Sequence, residues 1–307
     1  MRVLVVGAGA VGGYFGARLA QAGRDVTFLV RPARRDKLRK TGLVVKSTNG
    51  DFTITPQLVT GDQIGLPYDL VILSCKAYDL DSAMDAIAPA VGSNTAILPL
   101  LNGLAHLDKL TDRFGTEKVL GGFCNIGVTL GSEGEVVEFN KMCVLTFGER
   151  DGSASQRVAD ITELMRPATF ISRASQIILQ EMWEKWIFLS SLAGLTCLMR
   201  AAICDVAQAG GADVALAFLA EVQAVATRAG YPARPEELEK IRQRLTDPQS
   251  ILTASMMRDA EARGRVEAEQ ILGDLIRRGK GLEMPLLKLA YLNLKAYEAR
   301  RDREGQA

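Results

Sequence analysis

MRVLVVGAGAVGGYFGARLAQAGRDVTFLVR, residues 1–31, decides how the rest of the chain is read. Arg2 to Val6 is a short, β-branched apolar run of the kind that forms a buried strand. Gly7, Gly9 and Gly12 follow at once, Ala10 to Ala20 reads as a helix, and Val26 to Val30 reads as a second strand. Gly7 suits a tight turn, Gly9 lets main chain approach a pyrophosphate, and Gly12 allows close helix–strand packing. The segment Gly7, Ala8, Gly9, Ala10, Val11 and Gly12 is therefore expected to hold a dinucleotide, its phosphates at the helix N-terminus. The spacing G-x-G-x-x-G alone says little; the strand before it and the helix after it give it meaning.

The end of the second strand selects the dinucleotide. A fold that prefers NAD usually places Asp or Glu there, to accept from the ribose 2′-hydroxyl. Here the strand runs into Val30 and Arg31, with Arg34 and Arg35 close behind, while Asp25 lies at the opposite end. A planar guanidinium suits a 2′-phosphate. NADPH is the expected cofactor, and at least one of Arg31, Arg34 and Arg35 is expected on a solvated face.

The chain's 307 residues suggest two domains, and 48% apolar content suggests a globular fold. A net charge of +1 gives no general case for nucleic acid or an anionic membrane as partner. The five cysteines are scattered and form no CxxC, which fits a reducing, cytoplasmic setting. No signal peptide is expected, since Met1 runs straight into the first strand. The apolar stretch Trp186 to Met199 is too short to span a bilayer and reads as a buried helix. With His106 the single histidine, no metal site built on several histidines is expected.

Further along, a helix is expected over Ala33–Lys40 and a strand pair over Leu43–Lys46 and Phe52–Thr55. Leu70–Ser74 and Ala96–Leu100 read as buried strands around a helix at Leu80–Ala88. This alternation predicts an α/β fold with a parallel, doubly wound sheet. Ligands of such sheets sit beyond the carboxyl ends of the strands, where Lys76 and Asn102 fall. Val119 to Glu149 is expected to add antiparallel strands to that sheet, followed by a helix over Asp151–Met165. From about Ser172 the pattern is helical throughout: Ile177–Arg200, Ala212–Ala229, Pro235–Leu245, Leu252–Ala262, Val266–Gly279 and Leu286–Arg300. The predicted domains are therefore 1–170 and 171–307, and the charged end, Ala299 to Ala307, is expected to fray.

Three further positions invite a chemical reading. Lys185 enters a buried helix; desolvation would make it a usable proton donor, whereas the bland reading is an ammonium reaching the surface. Ser255 and Glu267 would lie about 18 Å apart on one straight helix, but a break at Gly264 could turn both toward one cleft. His106 reads first as a solvent-facing residue at a helix start, and second as an acid near Asn102.

These pieces together resemble the ketopantoate reductase (2-dehydropantoate 2-reductase) family over nearly the whole chain. The resemblance is carried by GAGAVGGYFGARLAQAG at 7–23, CKAYD at 75–79, LLNGL at 100–104, WEKW at 183–186, SMMRD at 255–259 and RVEAEQILGDLIRRGKGLEMP at 265–285. It implies a Rossmann-type domain for NADPH and an all-helical substrate and catalytic domain enclosing a cleft. The implied reaction is reduction of a 2-keto acid, most directly 2-dehydropantoate to pantoate in pantothenate biosynthesis. By motif match Lys185 becomes the general acid, Glu267 a supporting carboxylate and Ser255 a substrate ligand. Asn102 would contact cofactor and substrate, with Lys76 beside the cofactor and Arg31 on its 2′-phosphate. The expected partner is a small 2-keto acid, with a homodimer left open. The sequence departs from the family where Leu189, Ala193 and Leu272 replace asparagines, which points to a larger or more apolar keto acid as an alternative. The rival readings are an NADP-dependent dehydrogenase of opine or 3-hydroxy-acid type, and a dinucleotide-binding sensor without turnover.

Overall fold

A computed structural model describes residues 1–139 and 142–305 of the chain. They form two compact units: Met1–Leu101 with His106–Leu179, and Asn102–Ala105 with the chain from Gln180 onward. The first unit is built on β1 (Arg2–Val6), α1 (Ala10–Gln21), β2 (Asp25–Leu29), α2 (Pro32–Thr41), β3 (Leu43–Lys46), β4 (Phe52–Ile54), β5 (Gln57–Val59), β6 (Leu70–Leu73), α3 (Leu80–Ile87) and β7 (Ala96–Pro99). Five strands pair in parallel in the order β5-β2-β1-β6-β7. The chain winds outward from β1 to one edge, then returns to β6 on its other side. The order therefore reverses between β1 and β6, the place where such sheets leave a crevice for ligands. Both faces are covered, and Val3, Leu4, Val5, Leu70, Val71 and Ile72 are fully buried.

Helix α1 approaches this sheet closely enough to require glycine on one face. A Cβ at Gly12 would collide with the Ser74 hydroxyl and the Gly7 carbonyl. One at Gly16, a turn further on, would stand 2.6 Å from the Phe28 ring.

The unit continues through α4 (Ala105–Phe114), β8 (Gly121–Asn125), β9 (Val128–Leu130), β10 (Val136–Glu138), β11 (Val144–Gly148), α5 (Gln156–Met165) and β12 (Ile171–Ala174). Contrary to expectation, the strands after Val119 do not extend the parallel sheet. They join two smaller sheets, ordered β4-β3-β10-β9 and β12-β11-β8. The reason lies at the edge strand. The Ala96 and Leu100 N–H groups point to β6, so Ile97 and Pro99 face outward. Ile97 makes a single bridge to Val119; the next outward position is Pro99, which has no N–H to continue a ladder.

Two local expectations are also corrected. The helix expected from Asp151 starts at Gln156, because Asp151 accepts from the Ser153 N–H (2.9 Å) and Gly152 takes φ +79°. Ser155 then caps it through the Val158 N–H, 3.2 Å away. The stretch from Ser172 is not purely helical, since Ile171–Ala174 pairs in parallel with β11. The first unit accordingly runs on to Leu179 rather than ending at residue 170. Its largely exposed edge strand lacks the alternation that marks a strand in sequence.

The rest of the chain is helical: α6 (Ile178–Met199), α7 (Ile203–Gln208), α8 (Ala212–Arg228), α9 (Pro235–Thr246), α10 (Ser255–Glu261), a π turn over Glu269–Gly273, α11 (Asp274–Arg278) and α12 (Pro285–Gly305). The expected end-fraying starts too early, since α12 stays helical through Gly305; residues 306–307 lie outside the described residues. Among the described residues no helix is long and apolar enough to cross a membrane. The break between α10 and the next helical stretch is present, but its left-handed residue is Arg263 (φ +56°) rather than Gly264.

Beside Lys185 on α6, Glu184 is buried and gripped by Arg234, whose Nε and Nη2 donate to its two oxygens at 2.8 and 2.7 Å. The Arg234 main-chain N–H and Gln180 Nε2 donate as well, at 3.0 and 3.1 Å. Burial pushes this carboxyl up, but the donors from Arg234 and Gln180 outweigh it and hold the group below its ordinary value of 4.5.

Gly12→Ala should therefore destabilise the first unit by about 1–3 kcal/mol through overpacking. Gly9→Ala should leave it near wild type, because a Cβ there meets no protein atom within 4 Å. Thermal melts of the two variants check this. Glu184 contributes stability that is present above its unfolded pKa and lost as pH falls through the lower folded value. Glu184→Gln should lower the melting temperature near neutral pH, with a loss of about 1–2 kcal/mol because Arg234 is partly exposed. That difference should shrink on acidification below 4.5; melts of both proteins across pH check it.

Candidate active site

In the first unit the carboxyl ends of three strands gather around the glycine turn. The Gly7 N–H donates to the Leu29 carbonyl (2.9 Å), and the Ser74 hydroxyl to the Val6 carbonyl (3.0 Å). Gly7 takes φ +92°, which a residue with a side chain rarely adopts. Gly9 caps α1 without a side-chain hydrogen bond, so the first-turn N–H groups depend on something other than a capping side chain. The turn thus combines left-handed backbone, space over Gly9 and a helix start, which together fit a diphosphate.

The three arginines behind β2 have three different settings. Arg31 precedes α2, is 75% exposed, and pairs with Asp79 through Nη2 at 2.9 Å. Arg34 is half-buried and donates to main-chain oxygens of Ala8 and Gly134. Arg35 pairs with its neighbour Asp36 at 3.0 Å. Of the three, Arg31 is the most exposed. Lys76 is half-buried beyond β6, where it opens the 3₁₀ turn Ala77–Asp79 that delivers Asp79. Sequence reading missed Asp79 as a partner of Arg31, because the pairing joins two strand ends far apart in sequence.

In the second unit Lys185 sits in the third turn of α6 rather than at its opening, and is half-buried. Its ammonium donates to Asn102 Oδ1 at 3.2 Å. Asn102 is itself held: Gln270 Nε2 donates to its carbonyl at 2.8 Å. Gly103 follows with φ +75°, and a Cβ there would stand 2.9 Å from the Gln270 carbonyl. Gln270 lies inside the π turn, where Trp186 Nε1 also donates to the Ile271 carbonyl at 3.1 Å. Such turns often mark functional sites. Gln270 escaped sequence reading; its sole signal was its place three residues after Glu267.

Glu267 is buried just before the π turn, and Ser255 is exposed at the first residue of α10. The two therefore lie on separate helical segments, as a break requires. Leu189 and Ala193 follow Lys185 at one-turn intervals and share its side of α6, Leu189 half-buried and Ala193 buried. Leu272 is fully buried and packs as core. His106 is corrected: it lies in the second position of α4 and is fully buried, on the same inward face as Leu107 and Leu110.

Comparison with known proteins agrees with this architecture. Residues 3–152 match the family model described as ketopantoate reductase PanE/ApbA, and residues 177–298 match its C-terminal counterpart. The chain is 35% identical over 302 residues to the uncharacterized oxidoreductase YkpB of Bacillus subtilis, covering 97% of this chain and 99% of that protein. It is 30% identical over 258 residues to a 2-dehydropantoate 2-reductase of Mesorhizobium japonicum, covering 75% and 77%. A crystal structure of 2-dehydropantoate 2-reductase from Geobacter metallireducens superimposes with a TM-score of 0.87 at 28% identity, covering 96% and 99%. With both parts of the family model matched along the chain, and the glycine turn and the lysine–asparagine pair in place, the protein belongs to the ketopantoate reductase family of oxidoreductases.

Proposed function

We propose that this protein reduces a 2-keto acid to a 2-hydroxy acid with NADPH, the first unit binding coenzyme and the second supplying substrate contacts and the proton. The observation that carries the reading is the ammonium of Lys185 held on Asn102 Oδ1, with Asn102 held in turn by Gln270. When bound, NADPH supplies the hydride. The chain's own residues do the rest. Negative charge builds on the carbonyl oxygen during reduction, and an ammonium beside it stabilises that charge and donates the proton. Lysine carries three donors; aiming one at Asn102 restricts the directions of the other two. Asn102 then keeps its amide N–H groups for coenzyme or substrate. Glu267 is the supporting carboxylate and Ser255 a ligand of the substrate acid. The turn Gly7 to Gly12 holds the diphosphate, Lys76 lies beside the coenzyme, and Arg31 takes the 2′-phosphate by exchanging Asp79 for it.

The substrate is 2-dehydropantoate or a related 2-keto acid. Leu189 on the Lys185 side of α6 favours an apolar substituent, since an apolar position rejects polar groups poorly and rewards them little. A cytoplasmic setting accords with five scattered thiols. NADPH oxidation against a panel of 2-keto acids, ketopantoate and bulkier apolar ones included, tests the reading; no turnover with any of them overturns it.

NADPH should bind about ten- to hundred-fold more tightly than NADH. Arg31→Ala should remove most of that preference, read as two dissociation constants for each protein. Lys185→Met should lower kcat by about 10²–10⁴ while NADPH affinity changes little. Turnover within a few-fold of wild type at saturating coenzyme and substrate would take Lys185 out of the mechanism.

A further inference from the structure

Arg34 does something its neighbours do not. Its Nε and Nη2 both donate to the carbonyl oxygen of Ala8, at 3.2 and 2.9 Å. Nη2 also donates to the carbonyl of Gly134, 2.8 Å away. Ala8 lies between the first two glycines of the turn. Gly134 lies in the loop between β9 and β10, which is closed by the Gly131 N–H on Glu135 (2.8 Å) and the Gly134 N–H on Gly131 (2.9 Å). Gly134 has φ +78°, and a Cβ there would stand 2.7 Å from Arg34 Nη1. One guanidinium thus ties the glycine turn to a hairpin far along the chain.

The peptide plane makes this tie directional. The carbonyl of Ala8 and the N–H of Gly9 belong to one rigid, trans peptide unit and point in opposite directions. Holding the carbonyl from one side therefore fixes where the Gly9 N–H points. A cation on the carbonyl also polarises the unit and strengthens that N–H as a donor. We propose that Arg34 is a positioning residue for the coenzyme diphosphate: it sets the Ala8–Gly9 peptide plane and anchors the 131–135 loop to the turn. This inference rests on the coenzyme reading above, and it assigns Arg34 a role distinct from recognition of the 2′-phosphate.

The distinction gives the test. Binding of NADPH and of NADH is measured by nicotinamide fluorescence for wild type, Arg34→Ala, Arg34→Lys, Gly134→Ala and Arg31→Ala, with a thermal melt of each. Arg34→Ala should weaken both dinucleotides by a similar factor, about tenfold. The NADPH-to-NADH ratio should stay at the wild-type value, whereas Arg31→Ala changes the ratio. In turnover, the KM for coenzyme should rise while kcat at saturating coenzyme stays near wild type. Arg34→Lys, which keeps the charge without the fork, should lie between. Gly134→Ala keeps Arg34 but crowds its guanidinium, and should reproduce the common loss; it and Arg34→Lys carry the test if Arg34→Ala does not fold. Folded variants that bind both dinucleotides as wild type does would overturn the proposal while leaving the coenzyme reading intact. Loss of NADPH affinity alone would make Arg34 a 2′-phosphate ligand and overturn it too. A wild-type chain that binds neither dinucleotide would overturn the coenzyme reading, and this proposal with it.

Discussion

The close approach of α1 to the parallel sheet is the constraint on which the first unit depends. It is a steric condition: at Gly12 there is no room for a single carbon between helix, turn and Ser74. Meeting it brings the start of α1 to the carboxyl end of β1, beside the reversal of strand order. Because the turn is pressed between the ends of β2 and β6, the Gly7 N–H meets the Leu29 carbonyl and the Ser74 hydroxyl meets the Val6 carbonyl. Arg31 and Asp79 meet on the same rim, since each lies in the connection that follows a strand of that sheet.

Both candidate sites use side-chain donors to hold main-chain carbonyls. Arg34 holds Ala8 in the first unit and Gln270 holds Asn102 in the second. Loops that carry polar function cannot rely on a ladder to orient their peptides, so a side chain must supply that order. In both places a glycine with positive φ stands within the turn or next to the held residue: Gly7 before Ala8, and Gly103 after Asn102. The chain can therefore reverse direction there, and the bond to the carbonyl selects which direction the peptide faces.

Divergences between pattern and structure have identifiable causes. Val119 to Glu149 has strand composition, and strands do form, but Pro99 denies the parallel sheet the donor needed to accept them. Ile171–Ala174 is strand by pairing with β11 although its own residues show no alternation. His106 sits on the inward face of α4, a placement that depends on which side of the helix meets the core. The break before Glu267 falls on Arg263, whose following carbonyl, that of Gly264, is held by Tyr297 at 2.7 Å from the distant α12. None of these determinants is local.

What the sequence by itself determined is the nucleotide fold, its glycine turn, the helical second half and the family. These are encoded in short-range periodicity and in steric demands that glycine alone meets, so neighbouring residues suffice to reveal them. It also named Lys185, Asn102 and Arg31, because motif order and strand ends place them. Tertiary structure alone decided which partners those residues take: Asn102 for Lys185, Gln270 for Asn102, Asp79 for Arg31 and Ala8 for Arg34. Each of these pairs except the last is separated by more than forty residues, and Arg34 reaches Ala8 only because β1 and β2 lie side by side. Such contacts are products of packing. A linear pattern holds the side chains that could meet, while the folded backbone selects the ones that do.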